Sequence, residues 1–124
     1  MARSRLLPRA LPVLVLLSAC SDTNFEPINA RPLDPPSIYL EWWDEVERCT
    51  GVEARFDRIN WFETDEIIDR DLGSSHPGVW QPPHSIFIAH RHLYGRSIVK
   101  HEMIHDLLQT GDHSDPLFDR CSRF

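Results

Sequence analysis

The chain has 124 residues, a length that fits one domain with short flanking segments. It carries 19 acidic and 13 basic residues, a formal net charge of −6, and no basic stripe offsets this balance. An acidic surface repels phosphate backbones, so the composition argues against nucleic acid as a partner. All seven histidines lie between positions 76 and 113, which concentrates the titratable ligands in the second half of the chain.

The N-terminus has the layout of a secretory signal. Arg3, Arg5 and Arg9 precede an apolar run over residues 10–17, and small residues follow it. A run of about eight residues is too short to span a bilayer as a helix, which takes about 20. We predict that residues 1–19 are a signal peptide. Its removal takes away three arginines and no acid, so the formal charge becomes −9.

The end of this signal, Leu17-Ser18-Ala19-Cys20, resembles the lipobox of bacterial lipoproteins. The resemblance implies a lipid, such as palmitate, on Cys20. It also implies export to the bacterial cell envelope, with anchoring to a membrane on the periplasmic face or at the outer membrane. An ordinary signal peptide with a chance cysteine is the alternative.

Cysteine pairing favours the lipobox. If Cys20 is acylated, Cys49 and Cys121 remain as an even pair, whereas without acylation one thiol is left over in an oxidising compartment. We predict a disulfide between Cys49 and Cys121, which would close a loop of about 70 residues. Two free buried thiols are the competing interpretation.

Residues 20–36 are predicted to be a poorly ordered tether, because they contain four prolines and no apolar period. The domain is then expected over residues 37–124. It begins with a helix from about Ser37 to Cys49, ended by Gly51. Apolar residues recur along this helix at helical spacing, at Tyr39, Trp42, Trp43 and Val46. A core stripe is favoured over a binding surface for the two tryptophans.

The middle of the chain is predicted to alternate strands and loops. Residues 54–63 partly alternate apolar and polar side chains, which indicates a strand with an irregularity. The acidic residues 63–71 are expected to form a solvated loop, since their spacing does not fit a calcium-binding loop. Residues 73–83, rich in Gly, Ser and Pro, are expected to form another loop. Residues 84–90 form a compact β-prone run, predicted to be a strand.

The segment His101-Glu102-Met103-Ile104-His105 carries the chemistry of the chain. A helix is predicted from about Ser97, as N-cap, to Gln109, with Gly111 as its terminator. Two imidazoles at i and i+4 lie on one helical face and can hold one Zn²⁺. Glu102 lies about 100° round the helix from His101, close enough to act as general base on a metal-bound water without being a ligand.

The strand at 84–90 followed by this helix resembles the strand-then-metal-helix arrangement of the zincin metallopeptidases. The resemblance implies one Zn²⁺ on His101 and His105, with Glu102 as the catalytic base and a peptide or protein as substrate. It also implies an α+β fold, a minimal zincin-like domain whose small sheet packs against the N-terminal helix and the metal-binding helix.

The third ligand departs from the larger zincin groups. Metzincins carry it six residues after the second histidine, where this chain has Gly111, and no methionine follows to form their Met-turn. Gluzincins use a downstream glutamate, for which 19 residues leave no room. Residues 112–118 look more like the short histidine-containing turn of SprT-like zinc peptidases, at a shorter spacing than is usual there. The layout also resembles small bacterial lipoproteins of zinc-peptidase type.

This resemblance implies His113 as the third ligand, with Asp112 and Asp115 as alternatives. Asp106 or Asp112 are candidates for orienting a ligand histidine through a hydrogen bond. The tetrahedral oxyanion of peptide hydrolysis needs a second electrophile, for which the candidates are His92, Tyr94 and Arg91. The strand at 84–90, placed at a sheet edge, would pair with an extended peptide. A monomer is expected.

Two non-enzymatic functions stay open at this stage. The first is a zinc-stabilised envelope lipoprotein that acts as a binding module. Its closed site would need a fourth ligand from an aspartate or another histidine, the histidine candidates being His76, His84, His90 and His92. The second is a metal-free envelope lipoprotein that serves as an interaction partner.

Overall fold

The computed structural model of the protein describes residues 24–123, so the predictions for residues 1–19 and for lipidation of Cys20 lie outside the described residues. The domain is α+β, as predicted. Its strands are β1 (Phe25–Ile28), β2 (Arg31–Pro32), β3 (Asn60–Thr64), β4 (Glu66–Asp69), β5 (Gly78–Gln81) and β6 (Ser85–Ala89). Its α-helices are α1 (Ile38–Thr50), α2 (Arg96–Leu108) and α3 (Leu117–Ser122). No helix among the described residues is both long and apolar enough to cross a membrane.

Four strands form the main sheet in the order β2-β3-β6-β5. Strands β3 and β6 are parallel, with Phe62 opposite Phe87, and the other two pairs are antiparallel. The strand predicted at 84–90 is confirmed as β6. The condition for its pairing with a peptide, a position at the sheet edge, is not met, because β6 lies between β3 and β5. Strand β5 is therefore the sheet edge nearest to α2.

The prediction of a poorly ordered tether is wrong for residues 24–36. Strand β1 pairs with β4, from Phe25 opposite Asp69 to Ile28 opposite Glu66, and β2 pairs with β3. The Arg31 guanidinium strengthens the second pairing, since it binds Glu63 at 2.7 Å and Asp65 at 3.0 Å. The prolines are accommodated because both segments lie at sheet edges, where a missing N–H costs little.

Helix α1 and its apolar stripe are confirmed. The four predicted residues face the core, where Tyr39 and Val46 are fully buried and the two tryptophans are at most 7% exposed. They pack against Trp61 and Ile86 of the sheet and against Met103 of α2. The Tyr39 hydroxyl donates a 2.6 Å hydrogen bond to the carbonyl of Leu93, just before α2 begins. The core thereby fixes the start of the helix that carries the histidines.

Two loop predictions are wrong, and one strand prediction is confirmed in part. The acidic segment 63–71 contains β4, and the Gly, Ser and Pro-rich segment 73–83 contains β5. The strand predicted over 54–63 is confirmed for β3, while its first part is a single 3₁₀ turn at Phe56–Arg58. Each added strand gains its stability from a partner strand elsewhere in the chain, which local composition does not reveal.

A disulfide joins Cys49 at the end of α1 to Cys121 in α3, as predicted. The cysteines are 72 positions apart in sequence, and Cys121 is buried. Helix α3 also packs against α2. The cross-link therefore holds the C-terminal helix against both the N-terminal helix and the histidine-bearing helix.

Candidate metal centre

The side chains of His101, His105 and His113 converge on one point. Their Nε2 atoms are separated by 3.2 Å between His101 and His105, and by 3.0 Å from each of these to His113. Nitrogen ligands of a tetrahedral zinc ion, at about 2.0 Å from the metal, lie about 3.3 Å from one another. Three imidazoles at these separations can hold a metal ion.

Hydrogen bonds alone do not satisfy this cluster. Each Nε2 atom either carries a proton or offers a lone pair, so three mutually facing nitrogens always leave at least one pair of like groups in contact. The His105 Nδ1 atom donates to the carbonyl of Thr110 at 2.7 Å, which leaves its Nε2 lone pair free. A cation at the centre would accept all three lone pairs. The donor set therefore fits a metal ion better than it fits an isolated hydrogen-bonded cluster.

The turn after α2 explains how His113 reaches the cluster only eight residues after His105. The helix ends at Leu108, and Gln109 adopts the left-handed conformation with φ of 52° and bonds back to the His105 carbonyl. The predicted terminator Gly111 is not at this position. The predicted N-cap is also displaced, since Gly95 rather than Ser97 precedes the first turn. Reversal at Gln109 lets a short loop return His113 to the helix face.

Burial lowers the pKa of the two ligand histidines on α2. Desolvation, followed by repulsion from His105 and His113, lowers the pKa of His101 to about 4. Desolvation and the proximity of His113 also lower the pKa of His105, against the opposing effect of the Thr110 carbonyl. Neutral imidazole is the form that binds a metal ion. Both helix ligands are therefore ready to bind at neutral pH.

Glu102 lies beside the cluster, with 6% of its surface exposed. Burial raises the pKa of its carboxyl group to about 8, and the backbone N–H of Trp80 offsets part of this effect. Gly78 makes room for the side chain, because a Cβ atom there would lie 3.1 Å from the Glu102 Cγ atom. The carboxyl group is thus held between α2 and the edge strand β5.

A cleft of about 510 Å³ opens over these groups. Its wall contains all three histidines and Glu102 together with residues of β5, and a second depression adjoins it. The two depressions share four residues, His76, Gly78, His101 and Glu102. The cleft and the second depression therefore meet at the Glu102 carboxyl group, and an extended ligand could occupy both.

Comparisons with protein-family models, curated proteins and solved structures give no match to this chain. The likeness to zincins accordingly rests on the sequence motif and the geometry of the site. That geometry establishes three histidines able to hold a metal ion.

The predicted oxyanion stabilisers do not line the cleft as the structure describes it. Tyr94 is 73% exposed, Arg91 lines a different depression, and the His92 Nε2 atom accepts a hydrogen bond from Arg91 at 3.2 Å. These residues follow the end of β6, whereas Gln109, in the turn that leads to His113, donates to the Pro83 carbonyl before β6 begins. The cleft instead contains His76, which the sequence treated only as a possible fourth ligand.

Two aromatic residues support the histidines. The Phe118 ring of α3 lies 5.2 Å, 4.5 Å and 5.4 Å from the rings of His101, His105 and His113, respectively. The Trp80 indole of β5 lies against His105. The sequence placed Phe118 in the turn motif without assigning it this role, and it gave no signal for Trp80.

Among the described residues, the aspartates predicted to orient a ligand form no hydrogen bond with the imidazole of a ligand histidine. Asp112 is bonded to Ser114, and its alternative role as a ligand is not supported because it lies outside the three-histidine cluster. Asp106 is fully buried and accepts a hydrogen bond from the Trp80 indole at 3.2 Å. It reaches His105 only indirectly, through the aromatic ring that packs on it.

Proposed function

We propose that the protein is a zinc-dependent metallopeptidase, anchored to a membrane of the bacterial cell envelope, that hydrolyses peptide bonds with Glu102 as general base. The observation that carries the proposal is the buried Glu102 carboxyl group beside three convergent imidazoles, on the wall of one cleft. A purely structural metal site has no need of a buried carboxyl group that lies beside the three ligands without being one of them. The anchoring part rests on the lipobox resemblance at Leu17–Cys20.

Three histidines would hold the zinc ion and leave a fourth position open, as in catalytic zinc sites. When bound, zinc supplies Lewis acidity and lowers the pKa of a coordinated water to near 7. Imidazole from His101, His105 and His113 is a suitable donor set for zinc. The Thr110 carbonyl fixes the ring orientation of His105, which keeps its Nε2 atom directed at the centre.

Glu102 supplies the proton transfers. Its carboxylate takes a proton from the attacking water while the water oxygen forms a bond to the substrate carbonyl carbon and the carbonyl electron pair moves onto oxygen. When the C–N bond breaks, the electron pair goes to nitrogen, and Glu102 returns the proton to the departing amine. A carboxyl group whose pKa is raised by burial can both accept a proton from water and donate it to the amine.

The edge strand β5 is the proposed substrate-binding element. Gly78, Val79 and Trp80 line the cleft, and β5 has a strand partner on one side only. An extended peptide can add to such an edge through main-chain hydrogen bonds. Strand β6 could have paired with a peptide only at a sheet edge, and it is internal. Peptide or protein is therefore the preferred substrate class, and a monomer provides every element of the proposed site.

A closed structural zinc site is the second class of function, and the described residues do not favour it. Such a site needs four protein ligands. Within residues 24–123, the cluster contains three histidines, while His84 is bonded to Asp106 and His90 to Glu63. Three protein ligands would leave the fourth position of a zinc ion open, which favours hydrolysis over a binding module.

The test combines metal analysis with the Glu102→Gln substitution. We expect the purified chain to bind zinc near one equivalent, and Glu102→Gln to keep the zinc while peptide hydrolysis falls at least 10²-fold. Glu41→Gln makes the same change on the exposed face of α1 and should have no effect. Absence of zinc binding, or full activity in Glu102→Gln, would overturn the proposal.

A further inference from the structure

The cleft contains one histidine that the metal centre does not use. His76 lies on the loop between β4 and β5 and lines both depressions beside Glu102 and His101. It is not part of the metal-binding cluster. Its side chain is 37% exposed, so it is accessible to a ligand in the cleft.

Several contacts fix the position of His76. Its backbone N–H donates to the Ile67 carbonyl at 2.8 Å, and Ser75 forms a bridge to Ile68, so the loop folds back along β4. The Phe25 ring of β1 packs edge-on against the imidazole, with centroids 4.7 Å apart. An exposed histidine on a free loop would have neither constraint. The ring is therefore held at the wall of the cleft by two strands.

The Asp69 carboxylate faces the other side of this ring. Its Oδ2 atom lies 3.7 Å from the His76 Nε2 atom. Its Oδ1 atom accepts the backbone N–H groups of Asp71 and Leu72 at 2.9 Å and 3.1 Å. Asp69 is only 8% exposed and also lines the cleft. The carboxylate is thus fixed by the turn after β4 and can in turn orient the imidazole.

We propose that His76 donates a hydrogen bond to the oxyanion that forms during hydrolysis, and that Asp69 is the residue that positions it. This role rests on the proposed peptidase function. Because Nε2 faces Asp69 at 3.7 Å, Nδ1 is the ring nitrogen left for the substrate oxygen, and donation to the oxyanion requires a proton on that nitrogen. No described residue is hydrogen-bonded to His76 Nδ1.

The chemistry of the step explains why such a donor belongs at this wall. As water attacks, the carbonyl electron pair moves onto the substrate oxygen, and no proton passes from His76. A fixed donor stabilises this developing charge more than it stabilises the neutral carbonyl, so it lowers the barrier without tightening substrate binding. Because only Pro77 separates His76 from the first residue of β5, a peptide aligned on β5 would pass next to it.

The experiment uses the zinc-loaded full-length chain and its His76→Phe and His76→Asn variants. We expect His76→Phe to lower kcat roughly 10²–10³-fold with KM within threefold and zinc content unchanged. His76→Asn, which keeps an N–H donor, should recover part of this loss. Asp69→Asn should lower kcat about tenfold at constant KM. His92→Phe makes the same change outside the cleft and should leave kcat unchanged.

A binding measurement separates this inference from the peptidase proposal. The probe is acetyl-Ala-Phe with its peptide bond replaced by a phosphinate, whose tetrahedral oxygens resemble the oxyanion. We expect His76→Phe, but not His92→Phe, to weaken its binding at least tenfold. If the wild-type chain hydrolyses no peptide yet shows this difference, the peptidase proposal fails and the anion-binding role of His76 stands. If His76→Phe folds and retains zinc with unchanged phosphinate affinity, the inference is wrong, and unchanged kcat leads to the same conclusion.

Discussion

The indole of Trp80 lies parallel to the imidazole of His105, with 10° between the ring planes and 6.0 Å between their centroids. The same indole donates to the buried carboxylate of Asp106, which follows His105 in the chain. Asp106 also accepts hydrogen bonds from Arg58 at 2.8 Å and from His84 at 2.9 Å. One carboxylate thereby ties β5, the 3₁₀ turn before β3 and the start of β6 to the metal helix.

We expect Asp106→Asn to weaken zinc binding roughly 10–100-fold, because Trp80 loses its fixed orientation and His105 loses a rigid packing surface. An amide also leaves the Arg58 guanidinium without its charged partner at 2.7 Å, so the free energy of unfolding should fall by about 3 kcal/mol. Competition with a chromophoric chelator measures the zinc affinity of the folded variant. Asp44→Asn, on the exposed face of α1, is the matched control. Unchanged affinity in folded Asp106→Asn would refute the coupling.

The metal-free protein should be less stable at both ends of the pH range. The pKa of Glu102 is raised to about 8 in the folded state. Its contribution to the free energy of unfolding is therefore fully present below pH 4.5 and is lost as the pH rises through 8. The pKa of His101 is lowered to about 4, so its contribution is present above pH 6.5 and is lost as the pH falls through 4. The midpoint temperature of thermal unfolding, measured in the presence of a chelator, should therefore be highest between about pH 4 and about pH 8.

The Glu102→Gln variant tests the alkaline side of this dependence. Without an ionisable group at this buried site, the metal-free variant should exceed the wild type in free energy of unfolding at pH 8 by on the order of 2 kcal/mol. At pH 4.5 the two should differ much less. Glu41→Gln should leave the stability unchanged at both values. If the free energy of unfolding rose equally at both pH values, the loss of the Glu102 charge would not be the cause of the increase.

The sequence predicted the elements whose information is local. His101, Glu102 and His105 lie on one helix, where a spacing of four residues places both imidazoles on the same face. Helix α1 followed from its apolar stripe. The sequence also indicated His113, although the turn that returns it depends on Gln109 rather than on the expected Gly111.

What the sequence did not predict depends on long-range pairing. Strand β1 lies in a proline-containing segment and is stabilised by β4, about 40 residues later. Strand β5 has only four residues and lies in a segment rich in Gly, Ser and Pro. It forms the edge of the sheet because β6 is its only strand partner among the described residues. The approach of His76 to Asp69 follows from the hairpin after β4. Where partners are distant, alternation along a short segment carries too little signal to place an edge strand.

Loss of the disulfide should weaken zinc binding as well as stability. Cys121 lies three residues after Phe118 in α3, and the Phe118 ring packs on all three ligand histidines. The double substitution Cys49→Ser with Cys121→Ser should lower the free energy of unfolding by about 4 kcal/mol, by the loop-closure estimate. In the fraction that stays folded, a mobile Phe118 should raise the zinc Kd several-fold.

Chemical denaturation with and without zinc measures both effects of removing the cross-link. Phe118→Leu is the companion variant, since it changes the packing on the histidines while keeping the disulfide. It should reproduce the loss of zinc affinity with a smaller loss of stability. If the double serine variant is destabilised but binds zinc as tightly as the wild type, α3 does not support the metal centre.

The gap in front of Glu102 offers a test that leaves every proposed zinc ligand in place. A Cβ atom at Gly78 would meet the Glu102 Cγ atom at 3.1 Å, its Oε1 atom at 3.3 Å and the Ile88 Cδ1 atom at 3.1 Å. Gly78→Ala should therefore displace the carboxyl group by a few tenths of an ångström while zinc stays bound. Because proton transfer depends closely on donor–acceptor distance, we expect kcat to fall about tenfold or more. Gly111→Ala makes the same change on the same cleft, where a Cβ atom would meet nothing within 4 Å, and it should leave kcat unchanged. Equal activities in the two variants would show that the position of Glu102 does not limit the reaction.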